Sequence, residues 1–367
     1  MSTVNHNKAI SIGKAICIIL MVIGHSGCPT LLRNWIYTFH MPFFFFVSGY
    51  LFNNKSLDSF IPFAKKKMRG LWLPFVKWNI LFILLHNLFY KLGFLNTEYS
   101  ITDFLNKIVV SLYMGEPQLL LGTFWFLQQL IRVNIIAWLL LKTINYFCNK
   151  NNVSYNSTIL LTNISIVILS IAAYGLDFRI PGVISKLTII SLLFYFSGYT
   201  LKLYESRIHT YIDTYIQSKY FFFFSMILTF IGGIFYPFEM LTLTTNAVLP
   251  YWIIAIFGCL MIYNISIRIS TINYLSNTID YIGSNTLIIM VLHLLTFKFT
   301  SLLLVSFNII SQDSLLAWPV PSIAKDGLWI LYSIAGVCIP LIIDAILKRV
   351  REIVITLINR KQTNLMS

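Results

Sequence analysis

The stretch GKAICIILMVIGHSG, residues 13–27, decides the class of the fold. Its middle is an unbroken apolar run of the kind that crosses a membrane, yet Lys14 stands near one end and His25 near the other. His25 follows Lys14 by eleven positions. At 100° per residue that interval turns about 20° past three full turns, so both side chains lie on one stripe of a helix, about 16 Å apart. A snorkelling lysine and an interfacial histidine would explain the pattern, and so would a polar track that works along one helix face.

The composition around this stretch favours a chain that lives in lipid. Of 367 residues, 57% are hydrophobic and 11% charged, with a mean hydropathy of +0.76. Soluble domains carry about 25% charged residues, so this is a polytopic membrane protein. The net charge of +14 raises nucleic acid as a partner, but the basic residues alternate with the apolar runs and form no continuous patch, which excludes that class. Five scattered cysteines, with no CxxC pair, indicate neither a disulfide framework nor a zinc site. No metal site is expected. The first apolar run is read as a retained helix, because many further spans follow it.

Ten apolar stretches of spanning length run near 9–26, 34–52, 72–93, 120–141, 157–174, 184–203, 219–236, 247–266, 282–305 and 327–347. The expected fold is therefore an all-α bundle of about ten transmembrane helices without a sheet, since helices satisfy their own backbone in hydrocarbon. With the N-terminus inside, the inward loops and tails hold seventeen Lys and Arg and the outward side seven. That asymmetry sets both termini in the cytoplasm. The polar run CNKNNVSYNS (148–157) is a loop, and no sizeable extramembrane domain is present.

Ionisable groups at membrane depth cost about 2.5–3.5 kcal/mol on insertion scales, so the exceptions to apolarity carry the chemistry. YTFHMPFFFFVSGYLF (37–52) brings His40 to the start of the second stretch, one short loop from His25. Both histidines should lie near the outward ends of adjacent helices and share a cavity. NNKSLDSFIPFAKKKMRGLWLP (53–74) places Lys65, Lys66, Lys67 and Arg69 just before the third stretch. Such a cluster either retains the loop against anionic lipid or clamps a phosphate from the cytoplasm. HTYID (209–213) is an amphipathic loop rather than a His-Asp catalytic pair, and nucleotide-binding, zincin, nucleophile-elbow and EF-hand motifs are absent.

Five fragments in order resemble one family over nearly the whole chain. These are GKAICIILMVIGHS, FHMPFFFFVSGYLF, KKKMRGLWLPF, TFWFLQQL (123–130) and IGSNTLIIMVLH (282–293). Together they are similar to the acyltransferase-3 family of integral-membrane acyltransferases. The resemblance implies one membrane acyltransferase domain over 1–350, followed by a basic cytoplasmic tail, 351–367. It implies a multi-pass protein of the bacterial cytoplasmic membrane with no permanently bound cofactor. Acyl-CoA, most often acetyl-CoA, would be the co-substrate, and a hydroxyl of a surface glycan or lipid-linked saccharide at the far face the acceptor. The many Asn, Lys and Ile residues agree with an AT-rich bacterial genome and favour a surface polysaccharide or its lipid-linked precursor.

Residue by residue, the resemblance implies that His25 is catalytic and that Lys14 and Arg69 bind the donor. His40, Ser48 and Trp125 would line the site. The family usually has Arg where Lys14 stands, and Lys offers charge without a bidentate fork. His293 matches a late histidine of the family and is not expected to be catalytic. Direct transfer with His25 as base and a covalent acyl-histidine both remain open. Two rivals stand beside this reading. One is a membrane-bound O-acyltransferase of another family working through His293, and the other is a transporter of lipid-linked saccharide.

Overall fold

The computed structural model describes residues 3–180, 184–236 and 238–366, with side chains over 8–180, 184–205, 214–236 and 238–356. Arg207, His209, Asp213, Arg360 and Lys361 lie outside the described side chains. In the first half, α1 (Thr3–His25) is followed by the shorter α2 (Thr30–Tyr37), α3 (His40–Tyr50), α4 (Phe60–Lys67), α5 (Leu73–Leu84), α6 (His86–Lys91) and α7 (Ile101–Leu112). Long helices α8 (Trp125–Asn151), α9 (Tyr155–Gly175) and α10 (Lys186–Tyr211) come next. The chain ends with α11 (Lys219–Phe235), α12 (Val248–Ser270), α13 (Asn273–Ser284), α14 (Thr286–Ser306) and α15 (Trp329–Met366).

The expected count of about ten spans is not reproduced. Among the described residues seven helices are long and apolar enough to cross a membrane: Lys8–His25, Leu119–Asn151, Tyr155–Gly175, Lys186–Glu205, Thr245–Ser270, Thr286–Ser306 and Trp329–Thr356. Two of the remaining apolar stretches are broken. Residues 34–52 divide where Phe39 leaves helical geometry, at φ −141°, and the Thr38 hydroxyl donates to the Trp35 carbonyl. Residues 72–93 divide at Leu85, with ψ near zero at −1°. The third, α11, has 17 residues, about 26 Å of helix against a hydrocarbon core of about 30 Å. Hydropathy counts apolar residues and does not register a break between them.

The expectation of no sheet also needs a small correction. In the connection between α9 and α10, β1 (Arg179–Ile180) pairs antiparallel with β2 (Ile184–Ser185). Elsewhere local signals act as expected. Pro74 sits in the first turn of α5, where its missing N–H costs nothing, and Ser100 and Asp103 cap α7 reciprocally. The exposed side chains Ile101, Leu105, Val109 and Leu112 follow helical spacing along α7 and give it one apolar face.

Helix α1 is the hub, with α3, α12, α13, α14 and α15 packed around it. Helices α3 and α10 meet more closely still. A Cβ on Gly49 would fall on the Tyr195 carbonyl oxygen, and one on Gly198 would fall on the Phe46 carbonyl oxygen. The contact is reciprocal, because each glycine faces the carbonyl three residues before the other. Small residues at such a crossing let two backbones approach, which is how helices select partners when lipid is as apolar as their side chains. Gly49→Ala or Gly198→Ala should therefore destabilise the protein by about 1–3 kcal/mol or more. A lowered thermal midpoint in detergent would show it. Gly175→Ala is the control, since its Cβ would meet nothing closer than Thr245 at 3.6 Å.

Candidate functional site

A cavity of about 380 Å³ runs beside α1 and has both Lys14 and His25 on its wall. Their common stripe on one helix thus faces one space. The break between α2 and α3 delivers Tyr37 and His40 to the same wall, and α3 adds Ser48. Trp125, the first residue of α8, completes the set where a 3₁₀ turn over Leu119–Phe124 feeds into that helix. The structure brings together five of the six residues expected at the site. Arg69 stands apart: it is exposed on the π-type turn Met68–Trp72, whose Gly70 and Leu71 line the cavity instead.

The hydrogen bonds around His25 define its protonation. His293, fully buried on α14, has Nδ1 at 3.0 Å from both the Ile289 and Met290 carbonyl oxygens. Carbonyls only accept, so Nδ1 carries the proton and Nε2 of the neutral ring is an acceptor. His25 Nδ1 lies 3.2 Å from that Nε2 and donates to it. The free lone pair of His25 is then on Nε2. His40 is held in the same way, with Nδ1 donating to the Ile36 carbonyl at 2.8 Å. The Tyr37 ring stands between the two, 6.5 Å from His25 and edge-on, and 5.0 Å from His40.

Neighbouring bonds fix the end of α1. The Ser333 hydroxyl of α15 donates to Ser26 at 2.9 Å, and Gly27 turns the chain at φ +85°, a conformation that suits glycine. Thr123 donates to the Met290 carbonyl at 3.2 Å, joining the start of α8 to the helix that carries His293. Ser48 shares a 3.3 Å hydrogen bond with Asn134 of α8.

At the opposite end the electrostatics change. Among the described residues the Lys14 ammonium makes no hydrogen bond or ion pair, and the Asp280 carboxylate of α13 is the acid that acts on its charge. At the end of α4, Lys67 lies with its Nζ 5.5 Å from the Phe63 ring. Burial, with the adjacent Lys66 charge adding to it, pulls Lys67 down to about 8. An anion at the Lys14 end of the cavity would find a cation without a hydrogen-bond partner among the described residues. Among the described residues no group of three or more His, Cys, Asp or Glu could hold a metal ion.

A family model described as an acyltransferase domain matches residues 7–347, nearly the whole chain. The chain belongs to the acyltransferase-3 family. No curated protein and no solved structure matches it significantly. For this membrane acyltransferase, sequence reasoning passed over two wall residues and one contact behind the wall. Tyr37 and Glu239 line the cavity without having been singled out, and His293, set aside, contacts His25 directly. Glu239 had a legible signal, being the only acidic residue between Asp213 and Asp280.

The tautomer chain is directly testable, because the chain has six histidines and selective ¹⁵N-histidine labelling gives a countable spectrum. His25 should be protonated at Nδ1 and not at Nε2. In His293→Phe that preference should be lost. A wild-type His25 protonated at Nε2 would break the proposed chain.

Proposed function

We propose that this acyltransferase moves an acyl group, most often acetyl, from cytoplasmic acyl-CoA to a hydroxyl of a surface glycan or lipid-linked saccharide. The observation that carries this reading is the single cavity with an unpartnered cation at one end and a backbone-anchored histidine pair at the other. A thioester on a long thin arm fits such a space. Its phosphates would stay near Lys14, Lys67 and Arg69 while its carbonyl reaches His25.

In the proposed reaction, the acceptor hydroxyl oxygen attacks the thioester carbonyl carbon while Nε2 of His25 takes the hydroxyl proton. The resulting imidazolium keeps its Nδ1–H bond to His293 Nε2, which steadies the ring as charge develops. The tetrahedral intermediate then collapses, the C–S bond breaks, and the departing sulfur receives the proton from His25. Products are the O-acyl ester and free CoA, with no redox change and no metal. His293 is a positioning residue in this scheme, since it touches His25 and not the reacting atoms.

In this reading the protein sits in a bacterial inner membrane, with Lys14 toward the cytoplasm and His25 toward the far face. His25→Ala should lower acyl transfer by a factor of about 10²–10⁴ or more in a protein that still inserts and folds. His293→Phe should lower kcat while leaving acyl-CoA affinity unchanged. An active His25→Ala variant beside a dead His293→Phe variant would take the role of base away from His25 and give it to His293.

The donor end is tested by binding. Lys14→Ala and Arg69→Ala should weaken acyl-CoA affinity, Lys14→Arg should be tolerated, and wild-type affinity should fall as salt rises. It should also fall as pH passes about 8, because Lys67 is charged below its lowered pKa and neutral above it. Unchanged affinity in both alanine variants removes these residues from the donor site.

A further inference from the structure

Beside the main cavity lies a second hollow of about 210 Å³, enclosed by α2 and the connection between α11 and α12. It shares Tyr37, Phe238 and Glu239 with the main cavity, so the two spaces have a common wall at the His25 end. We infer that this vestibule binds the acceptor, as a subsite for one uncharged sugar ring. The inference rests on the acyl-transfer reading and adds to it where the saccharide sits and which residues choose it.

Three features of the lining point to a sugar ring. The first is hydrogen-bonding capacity turned to the hollow: among the described residues the side chains of half-buried Asn34 and exposed Thr242 and Thr244 line it and have no hydrogen-bond partner within the protein. An amide and two hydroxyls donate and accept, as an array of ring hydroxyls requires. The second is a charge pair rather than a lone charge. Arg33 lies 3.7 Å from Glu239, with the two side chains 45% and 39% exposed. A carboxylate and a guanidinium side by side can accept from one hydroxyl and donate to the next, while together they carry no net charge.

The third feature is an aromatic platform. Tyr236 is 40% exposed, and its ring stacks on Phe238 at 5.3 Å, which stacks in turn on Tyr251 at 4.9 Å. An exposed ring backed by two buried ones offers a rigid apolar face to the C–H side of a pyranose. Other occupants fit less well. A phosphate group would meet Glu239, and an acyl chain would leave the polar lining unpaired. The donor's charge is complemented at the far end of the main cavity, by Lys14.

The position agrees with the chemistry. The guanidinium carbon of Arg33 sits 4.9 Å over the Tyr37 ring, and that same ring stands edge-on to His25 at 6.5 Å. One aromatic ring thus separates the vestibule from the dyad. A saccharide held on Tyr236 would have a neighbouring hydroxyl within reach of the shared wall.

Two measurements separate this inference from the acyl-transfer reading. The probe is oligosaccharide released by mild acid from the surface glycan of host cells lacking the protein, with esters removed by mild base. Saturation-transfer difference NMR is recorded on full-length His25→Ala protein in detergent, with and without Asn34→Ala, Glu239→Gln or Thr244→Val. Ring protons of the probe should show saturation, and each added substitution should weaken binding roughly two- to tenfold, the effect of one lost hydrogen bond. In the otherwise wild-type enzyme the same three substitutions should raise the acceptor KM by a similar factor and leave acyl-CoA affinity unchanged. Binding that is lost in the variants, together with no acyl transfer to the probe by the enzyme with His25 intact, upholds the vestibule and overturns the acyl-transfer reading. Transfer to the probe with acceptor KM unmoved by all three substitutions overturns the vestibule and leaves that reading in place. Absence of any saturation signal also overturns it.

Discussion

Helices surrounded by hydrocarbon gain nothing from hiding apolar side chains from water, so another force must choose which of them touch. In this protein Gly49 and Gly198 supply it by letting α3 and α10 meet backbone to backbone. That contact holds α3 in place, and α3 carries Ser48 and begins at His40. The same device recurs around the hub helix, where a Cβ on Gly283 of α13 would fall on the Ser11 carbonyl of α1. The geometry of the cavity therefore depends on close backbone contacts that tolerate no added methyl group.

Once helices are fixed, the cost of polar groups in lipid decides how the remaining side chains behave. Donors turn to carbonyls, whether buried, as Lys298 and Trp138 are, or exposed, as Lys202 and Lys142 are. Lys298 donates to Leu315 and Ala317 at 2.7 and 2.6 Å, Lys202 to Phe52 at 2.6 Å, Lys142 to Leu57 at 2.8 Å and Trp138 to Ser56 at 2.8 Å. His293 uses carbonyls of its own helix, and His40 reaches back across the break to the Ile36 carbonyl of α2. Against that habit, Lys14 is the exception that matters, because its ammonium has no such acceptor among the described residues. His25 differs as well, since its Nδ1 partner is a second imidazole and its Nε2 is left over. Lys14 and His25, each with capacity the fold leaves open, share one cavity wall.

The cavity also separates charge along its length. Lys14 is the Lys or Arg on its lining, whereas the His25 end borders a paired Arg33 and Glu239 with aromatic rings beside them. A donor bearing phosphates and an acceptor bearing hydroxyls would be sorted to opposite ends before either reaches the dyad. Sorting of this kind needs no moving part.

Much of this was legible without coordinates. Composition alone established a helical membrane protein, and the eleven-residue interval from Lys14 to His25 placed both on one face because helix pitch is a local property. Order and spacing of five fragments identified the family, and Pro74 and the Ser100–Asp103 cap announced helix starts through contacts a few residues long. The span count was not legible, since the breaks at Phe39 and Leu85 interrupt apolar runs without changing their hydropathy. Nor were the partnership of His25 with His293, 268 residues away, or the arrival of Glu239 at the cavity. Each depends on which helices pack together, and that choice rests on the shapes of surfaces such as those around Gly49 and Gly198, which only the folded chain brings face to face.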